Sequence, residues 1–175
     1  MTADPLIPDG FRAIVMGGDY MRNNGPLYLL HQGSTVRVGF RVEQRHTNPM
    51  GNCHGGMMAS FCDMLLPMSV HRQDAELGRR FLPTISLQID YLAPAPKGAW
   101  VEGQAQVLRT TRTLVFAQGL VQADGTPVAR VSGNSLPAPY AGATPDWRAP
   151  SSRKISSRGS CKAVRPTTSP GYRAR

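Results

Sequence analysis

The chain has 175 residues, of which 41% are hydrophobic, and a formal net charge of +9. This length is enough for one domain with a full core, and the apolar content is ordinary for a globular protein. The longest apolar stretch, residues 61–70, is too short to span a membrane. The chain also opens with no basic-then-apolar signal peptide. We therefore expect a cytoplasmic protein with no membrane span.

The first 25 residues are predicted to form an N-terminal segment of their own. Residues 10–16 are amphipathic, and we expect a short helix there that covers a sheet edge. Residues 23–26, Asn-Asn-Gly-Pro, have the composition of a turn. Two strands are predicted next, at 27–31 and 35–43.

The central part of the chain combines one long helix with further strands. The helix is predicted from about residue 54 to residue 71. Four alternating segments then predict strands, at 83–92, 100–108, 114–122 and 128–136. Because this helix is so apolar, it must be covered by the sheet, which wraps around it. We therefore predict an α+β domain over residues 26–136, with a curved antiparallel sheet of about five to six strands around the helix.

The end of the chain, residues 137–175, carries most of the net positive charge. It has eight Arg and Lys side chains against Asp146 alone. The segment is rich in Pro, Ser and Arg and shows no periodicity, so we predict a disordered basic tail. Such a tail can bind nucleic acid electrostatically. Because almost no aromatic residues interrupt the charges, we favour a solvated tail and expect no nucleic-acid partner.

The most informative stretch is residues 46–63, a polar loop with glycines that leads into the helix. The loop ends at Gly55 and Gly56, where a helix start presents unpaired N–H groups beside the positive end of the helix dipole. Asp63 is then an isolated carboxylate in an apolar helix, and burying such a group is costly. An anion-stabilising helix start followed by an isolated acid indicates acyl-transfer chemistry, with an oxyanion site and a base.

The spacing of Gly55 and Asp63 bears on how that site is assembled. The two residues are eight positions apart, which is about 12 Å along a helix. A base and an oxyanion donor must both lie about 3 Å from the reacting group. If both residues are catalytic, we expect two subunits of a symmetric dimer to share the site.

Other polar residues of the loop have two interpretations each. His54 is either a loop or cap histidine that bonds a backbone carbonyl and fixes the loop, or a catalytic residue, and we favour the first role. The side chain of Asn48 either polarises a substrate carbonyl or fixes the turn, and the sequence leaves both open. Cys53 and His54 suggest a nucleophile and base pair, but adjacent residues rarely face each other and no third group orients them.

The motif His46-x-Asn48-x-x-Gly51-x-x-His54-Gly55-Gly56, followed by Asp63, resembles the hotdog-fold acyl-CoA thioesterases of the phenylacetyl-CoA thioesterase type. The similarity extends over about residues 10–136 and excludes the tail. It implies a homodimer or tetramer that hydrolyses acyl-CoA. It also implies roles for particular residues: Gly55 and Asn48 hold the thioester carbonyl, Asp63 of the facing subunit acts as base or nucleophile, and Thr84 positions water.

The same resemblance implies the contacts to the substrate. His54 and Gly56 border the site as predicted substrate contacts. CoA carries several phosphates, so basic side chains at strand ends are candidates to bind them. We select Arg109 and Arg112 from a wider set that also includes Arg79, Arg80 and Lys97. The alternative for each of them is a solvated surface charge, which is the more common role of such a side chain. No metal or redox cofactor is expected.

Two alternative functions are consistent with the same fold. A hotdog dehydratase needs a closely spaced Asp and His, but His71 lies eight residues beyond Asp63 and past Pro67. A non-catalytic acyl-CoA-binding or regulatory protein would have no use for a buried acid, so Asp63 argues against it. We therefore predict an acyl-CoA thioesterase, with the acyl group unspecified.

Overall fold

A computed structural model describes residues 7–14, 18–74, 76–77 and 80–139 of the chain. The predicted disordered tail falls almost entirely outside these ranges, as does Arg79. The elements in chain order are β1 (Arg12–Ile14), α1 (Gly18–Asn24), β2 (Leu27–Gln32), β3 (Thr35–Arg41), a 3₁₀ turn (Gln44–His46), α2 (Gly55–Gln73), β4 (Thr84–Tyr91), β5 (Trp100–Thr110), β6 (Val115–Ala123) and β7 (Thr126–Ser135).

The strands form a single seven-stranded antiparallel sheet in the order β1-β2-β3-β5-β6-β7-β4. The six strands expected from the sequence are all present. The β6–β7 hairpin turns at Asp124 and Gly125, which both have positive φ, as a two-residue hairpin turn requires.

The seventh strand, β1, corrects the prediction of a short helix at residues 10–16. In the structure Ala13 pairs with Tyr28 at the outer edge of β2. The segment does cover a sheet edge as expected, but as a strand. The reason is that β2 has unpaired backbone groups along this edge, and a neighbouring strand satisfies them where a helix would not.

Helix α2 lies across the concave side of the sheet and contacts β3, β4, β5, β6 and β7. Phe61 and Leu65 are fully buried, and Phe61 packs against Phe40 with ring centroids 5.0 Å apart. Burial of one such side chain stabilises the fold by about 2–3 kcal/mol. Gly103 of β5 lets the sheet approach closely, since a Cβ there would lie 2.6 Å from Leu65. This is the wrapped helix that the hotdog resemblance implies.

Strand β4 is one edge of the sheet, and among the described residues it pairs only with β7. Its register shifts between Thr84 and Ser86, as in a β-bulge. Two large apolar side chains on it are well exposed, Ile85 at 60% and Tyr91 at 57%. β4 therefore presents both unpaired backbone groups and apolar surface at one side of α2. None of the described helices is long and apolar enough to cross a bilayer.

Candidate active site

The loop between the 3₁₀ turn and α2 is closed by backbone hydrogen bonds. The amide of His54 donates to the carbonyl of His46 over 2.7 Å. On the outer side, Cys53 donates to the carbonyl of Ala95 and Lys97 donates to that of Gly51. Gly51 has φ +76°, which glycine adopts without strain. These bonds join the loop to the segment after β4, so the loop is anchored at both ends.

Asn48 fixes the tip of this loop. Its side-chain oxygen accepts hydrogen bonds from the amides of Met50 and Asn52, at 2.9 and 3.2 Å. The side-chain oxygen of Asn48 therefore fixes the turn, which is one of the two roles expected from the sequence. Within the described residues its side-chain NH₂ group has no acceptor, so the orienting bonds leave this donor free for a carbonyl.

His46 supports the loop from inside the protein. The side chain is only 3% exposed, and its Nδ1 accepts a hydrogen bond from the amide of Glu43 at 3.0 Å. Burial, and to a lesser extent the nearby Arg45 guanidinium, lower the pKa of His46 below its ordinary value. The lowered pKa favours the neutral ring at pH 7. The same Nδ1 also lies 3.2 Å from the Arg41 carbonyl, so the ring is held between two backbone groups of the loop.

His54 caps α2, a role favoured from the sequence, but its ring bonds a backbone amide and not the backbone carbonyl that was expected. Its Nδ1 accepts a hydrogen bond from the amide of Gly56 at 2.9 Å, and its carbonyl accepts one from Met58 at 3.1 Å. Because Nδ1 is the acceptor in this bond, Nε2 is the ring nitrogen that faces away from the helix cap. A Cβ at Gly56 would lie 3.0 Å from this Nδ1, so the cap itself explains why a glycine follows Gly55.

Gly55 is the first residue of α2, and its own amide is open. No described group accepts a hydrogen bond from this N–H, although the amides of Gly56 and Met58 are both bonded. A Cβ at Gly55 would meet nothing closer than 3.6 Å, so packing within the chain does not require glycine here. The missing side chain instead leaves an exposed donor at the positive end of the helix dipole.

Tyr91 contacts the same residue from the end of β4. Its hydroxyl donates a hydrogen bond to the Gly55 carbonyl at 2.9 Å. Partial burial raises the pKa of Tyr91, so the phenol stays protonated as a donor. The sequence interpretation assigned no role to Tyr91. The only sequence signal was an aromatic residue at the end of a predicted strand, which is common in any sheet.

Asp63 and Thr84 meet two turns further along α2. The Thr84 hydroxyl donates to Oδ1 of Asp63 at 2.6 Å. Asp63 is half-buried, whereas its neighbours Phe61 and Cys62 are fully buried. The carboxylate thus lies at the border of the apolar face of α2, where its second oxygen is not committed to Thr84. Thr84 touches the acid itself, a contact that the sequence did not predict.

The described residues therefore contain two separate groups of predicted site residues. Asn48, His54, Gly55 and Gly56 lie at the start of α2, and Asp63 and Thr84 lie beside its middle. α2 runs without interruption from Gly55 to Gln73 despite Pro67. The separation of Gly55 and Asp63 along the axis is therefore about 12 Å, as the spacing predicted.

Arg109 and Arg112 lie elsewhere in the chain. Gln73, at the end of α2, bonds the backbone of Ala105 and Val107, so the tip of the β5–β6 hairpin lies beyond the C-terminal end of the helix. That end is about 27 Å from Gly55. Both arginines are exposed, and one chain does not bring them to the start of α2. Lys97, by contrast, lies against the loop and donates to the side chain of Gln44.

The two cysteines of the described residues, Cys53 and Cys62, are poorly suited to act as nucleophiles. Burial raises the pKa of Cys53 to about 11 and that of Cys62 to about 12, so both remain protonated thiols at neutral pH. Both are free.

Most of the apolar side chains of α2, including Met57 and Met58, belong to the core.

The long helix α2, wrapped by a curved antiparallel sheet, is the architecture expected of a hotdog protein. Comparison with known proteins gives the family. A model of the thioesterase superfamily matches residues 50–129. Human acyl-coenzyme A thioesterase 13 is 33% identical over 108 residues, covering 60% of this chain and 74% of the human protein.

Solved structures share the fold. Zebrafish thioesterase superfamily member 2 matches with a TM-score of 0.59 and 26% identity, covering 70% of this chain and 87% of the zebrafish chain. The E. coli PaaI protein from the phenylacetic acid degradation operon has a TM-score of 0.60 at 19% identity, with coverages of 69% and 85%. The chain belongs to the thioesterase superfamily. The hotdog fold and the family resemblance predicted from the motif are confirmed.

Proposed function

We propose that this protein hydrolyses an acyl-CoA thioester to a free acid and CoA. The observation that carries the proposal is the open Gly55 amide at the start of α2, held between two hydrogen-bonded peptide groups. An N–H group of this kind stabilises the negative charge that develops on a thioester oxygen during attack. The name of the human relative, an acyl-coenzyme A thioesterase, supports the same substrate class.

The proposed roles follow from the donors and acceptors described above. The Gly55 amide and the Asn48 NH₂ group hold the thioester carbonyl. Asp63 accepts a proton from the water that attacks the carbonyl carbon. The C–S bond then breaks, and the CoA thiolate leaves and takes up a proton. Thr84, through its bond to Oδ1, leaves the other oxygen of Asp63 to act as the base.

We propose that two subunits share this site. An oxyanion donor and a base about 12 Å apart cannot both reach one carbonyl, whereas a facing subunit can supply the second group. The exposed edge of β4, with Ile85 and Tyr91 on it, is the surface we assign to the subunit contact. Thr84 lies on this same edge strand, so contact there brings a second chain towards the acid.

The remaining assignments belong to the same proposal. We propose a cytoplasmic homodimer or tetramer whose catalytic domain covers residues 26–136. The two free thiols, Cys53 and Cys62, suit a reducing compartment. The proposed chemistry uses backbone, amide and carboxylate groups, with no metal or redox cofactor. His54 and Gly56, together with Arg109 and Arg112 of a neighbouring subunit, are the proposed substrate contacts.

The first experiment measures free thiol release from a panel of aromatic, medium-chain and long-chain acyl-CoAs, with wild type beside Asp63→Asn. The substitution keeps the shape of the side chain and removes the base. We expect kcat to fall by about 10²–10⁴-fold with little change in substrate binding. The matched control is Asp19→Asn, which removes an exposed carboxylate paired with Arg22 on α1.

Two results would count against the proposal. Equal turnover by Asp63→Asn and wild type would remove Asp63 from the chemistry. No turnover of any thioester, together with tight acyl-CoA binding by both proteins, would instead favour a binding or regulatory hotdog protein.

A further inference from the structure

The edge strand β4 bonds to α2 through two hydroxyl groups. At its start Thr84 donates to Asp63, and at its end Tyr91 donates to the Gly55 carbonyl. The strand therefore contacts both residues proposed to act on the substrate. Thr84 was predicted for the site, but Tyr91 has no role in the chemistry proposed above.

The Tyr91 bond helps to hold a peptide group at the start of α2. The peptide group between Gly55 and Gly56 is held on its N–H side by His54 Nδ1 and on its carbonyl side by Tyr91. The preceding peptide group has its carbonyl bonded to Met58 and its Gly55 N–H open. Glycine is the most flexible backbone residue, so the direction of this N–H depends on the neighbouring peptide planes being fixed.

Tyr91 is itself held firmly enough to serve as an anchor. It pairs with Ala129 in the β4–β7 register, and the next amide, that of Leu92, donates to the Val128 carbonyl at 2.9 Å. The residue before it, Asp90, is bonded to Arg130. Its hydroxyl and ring edge would lie 3.6–3.8 Å from a Cβ at Gly55, in ordinary contact. The phenol therefore reaches Gly55 without crowding it.

We propose that Tyr91 is a positioning residue, whose hydroxyl fixes the Gly55–Gly56 peptide group and so aims the Gly55 amide at the substrate oxyanion. The inference rests on the proposed function. It predicts that the hydroxyl acts through Gly55 and does not touch the substrate. Preorganised donors gain their effect from being oriented before the reaction, so loss of the anchor should lower kcat more than it changes KM.

The test compares Tyr91→Phe and Tyr91→Leu with wild type in acyl-CoA hydrolysis. Loss of one orienting hydrogen bond should lower kcat by about fivefold to tenfold, with KM within about twofold. Both variants should lose a similar amount, because the hydroxyl carries the effect. The matched control is Tyr20→Phe, which removes an exposed hydroxyl bonded to Ser60 of α2 and is expected to keep wild-type kcat.

Two further measurements separate positioning from loss of structure. Thermal unfolding and gel filtration establish that the variants are folded with the wild-type subunit number, and kcat is measured below the lowest midpoint. In parallel, the ¹H–¹⁵N resonance of Gly55 should shift in Tyr91→Phe and stay in place in Tyr20→Phe. This resonance reports on the peptide group without requiring turnover.

The outcomes distinguish this inference from the proposed function. An active wild type with a Tyr91→Phe variant of equal kcat would overturn the positioning role. A Tyr91→Phe variant with a raised KM and an unchanged kcat would also overturn it, since this would indicate that Tyr91 contacts the substrate. A loss of kcat seen only in Tyr91→Leu would overturn it as well, since this would indicate that the ring packs in the fold. If wild type turns over no thioester, the proposed function fails, and an unmoved Gly55 resonance would separately overturn the anchor.

Discussion

The start of α2 and the middle of the same helix are built in different ways. At the start, the loop from His46 to Gly56 is held by a series of backbone and side-chain bonds that all lie within one chain. At the middle, Asp63 is oriented by the single hydroxyl of Thr84. The helix start thus has many supports, one of them from Tyr91 of β4, whereas the described support of Asp63 is one hydroxyl from the same strand.

In the proposed chemistry, one folded chain can therefore position the oxyanion donors by itself, whereas the environment of the acid depends more on contact between subunits. The oxyanion donors depend on a short stretch of sequence, so one folded chain is enough to preorganise them. The acid lies beside β4, whose outer edge is unpaired within the described residues. The second region is therefore where a partner chain has the most to add.

Among substitutions that leave Asp63 in place, the largest effect is expected from Gly55→Pro, which removes the open donor at the helix start. Proline is well tolerated at the first position of a helix, and His54, with φ −63° and ψ 138°, already has the backbone conformation that precedes proline. We expect kcat to fall by about 10²–10³-fold with the fold retained, measured by thiol release and circular dichroism.

Gly55→Ala is the matched control for this change, because it keeps the N–H and adds a Cβ with room around it. It should lose far less activity than the proline variant. Equal losses in the two variants would show that bulk at the helix start matters and that the amide does not.

A smaller effect is expected at the other region, from Thr84→Val. Valine has nearly the same shape but cannot donate to Asp63, so the carboxylate loses its one orienting bond. We expect kcat to fall by about tenfold. Thr35→Val, which removes a turn hydroxyl bonded to Gln32 at 3.0 Å, serves as the control. A Thr84→Val enzyme as active as this control would mean that Asp63 needs no such support.

The smallest expected effect is on stability, and it tests the buried support of the loop. The pKa of His46 is lowered by burial from its ordinary value of 6.5, so the unfolded state binds more protons below that pH. Stability should therefore be complete above about pH 6.5 and decline as the pH falls towards the lowered pKa. His31 and His71, whose pKa values burial also lowers, contribute with the same sign.

Thermal unfolding between about pH 7.5 and pH 5.5 measures this dependence. Replacing His46 with glutamine should flatten it, because the substitution removes one of the groups that must take up a proton. A midpoint that rises on acidification would contradict the assignment of a neutral, buried His46.

Most strands and the long helix could be predicted from the sequence, because the residue patterns that specify them are local. The six strands from 27 to 136 follow from alternation and turn residues, and α2 follows from a glycine start and an apolar run. His54 was correctly expected to cap the helix, since its position relative to Gly56 is set by neighbouring residues. For Cys53, which the sequence analysis did not favour as a nucleophile beside His54, burial raises the pKa of the thiol, in agreement with that judgement.

The features that the sequence did not reveal depend on contacts between distant elements. The strand at Arg12–Ile14 exists because β2 has an open edge, which no local pattern records. The bonds from Thr84 to Asp63 and from Tyr91 to Gly55 depend on how β4 lies along α2 and on the register shift at its start. The roles of Arg109 and Arg112 stay predictions, since one chain leaves them far from Gly55.

The most direct test of the shared site is subunit mixing. Gly55→Pro and Asp63→Asn are each purified as inactive proteins, then mixed, exchanged and assayed for thiol release. In a shared site, every mixed dimer has one active centre with an intact Gly55 from one chain and an intact Asp63 from the other. Equal mixing should then restore about a quarter of wild-type activity. If labelled subunits are seen to exchange and no activity returns, the site lies within one chain and the account is wrong.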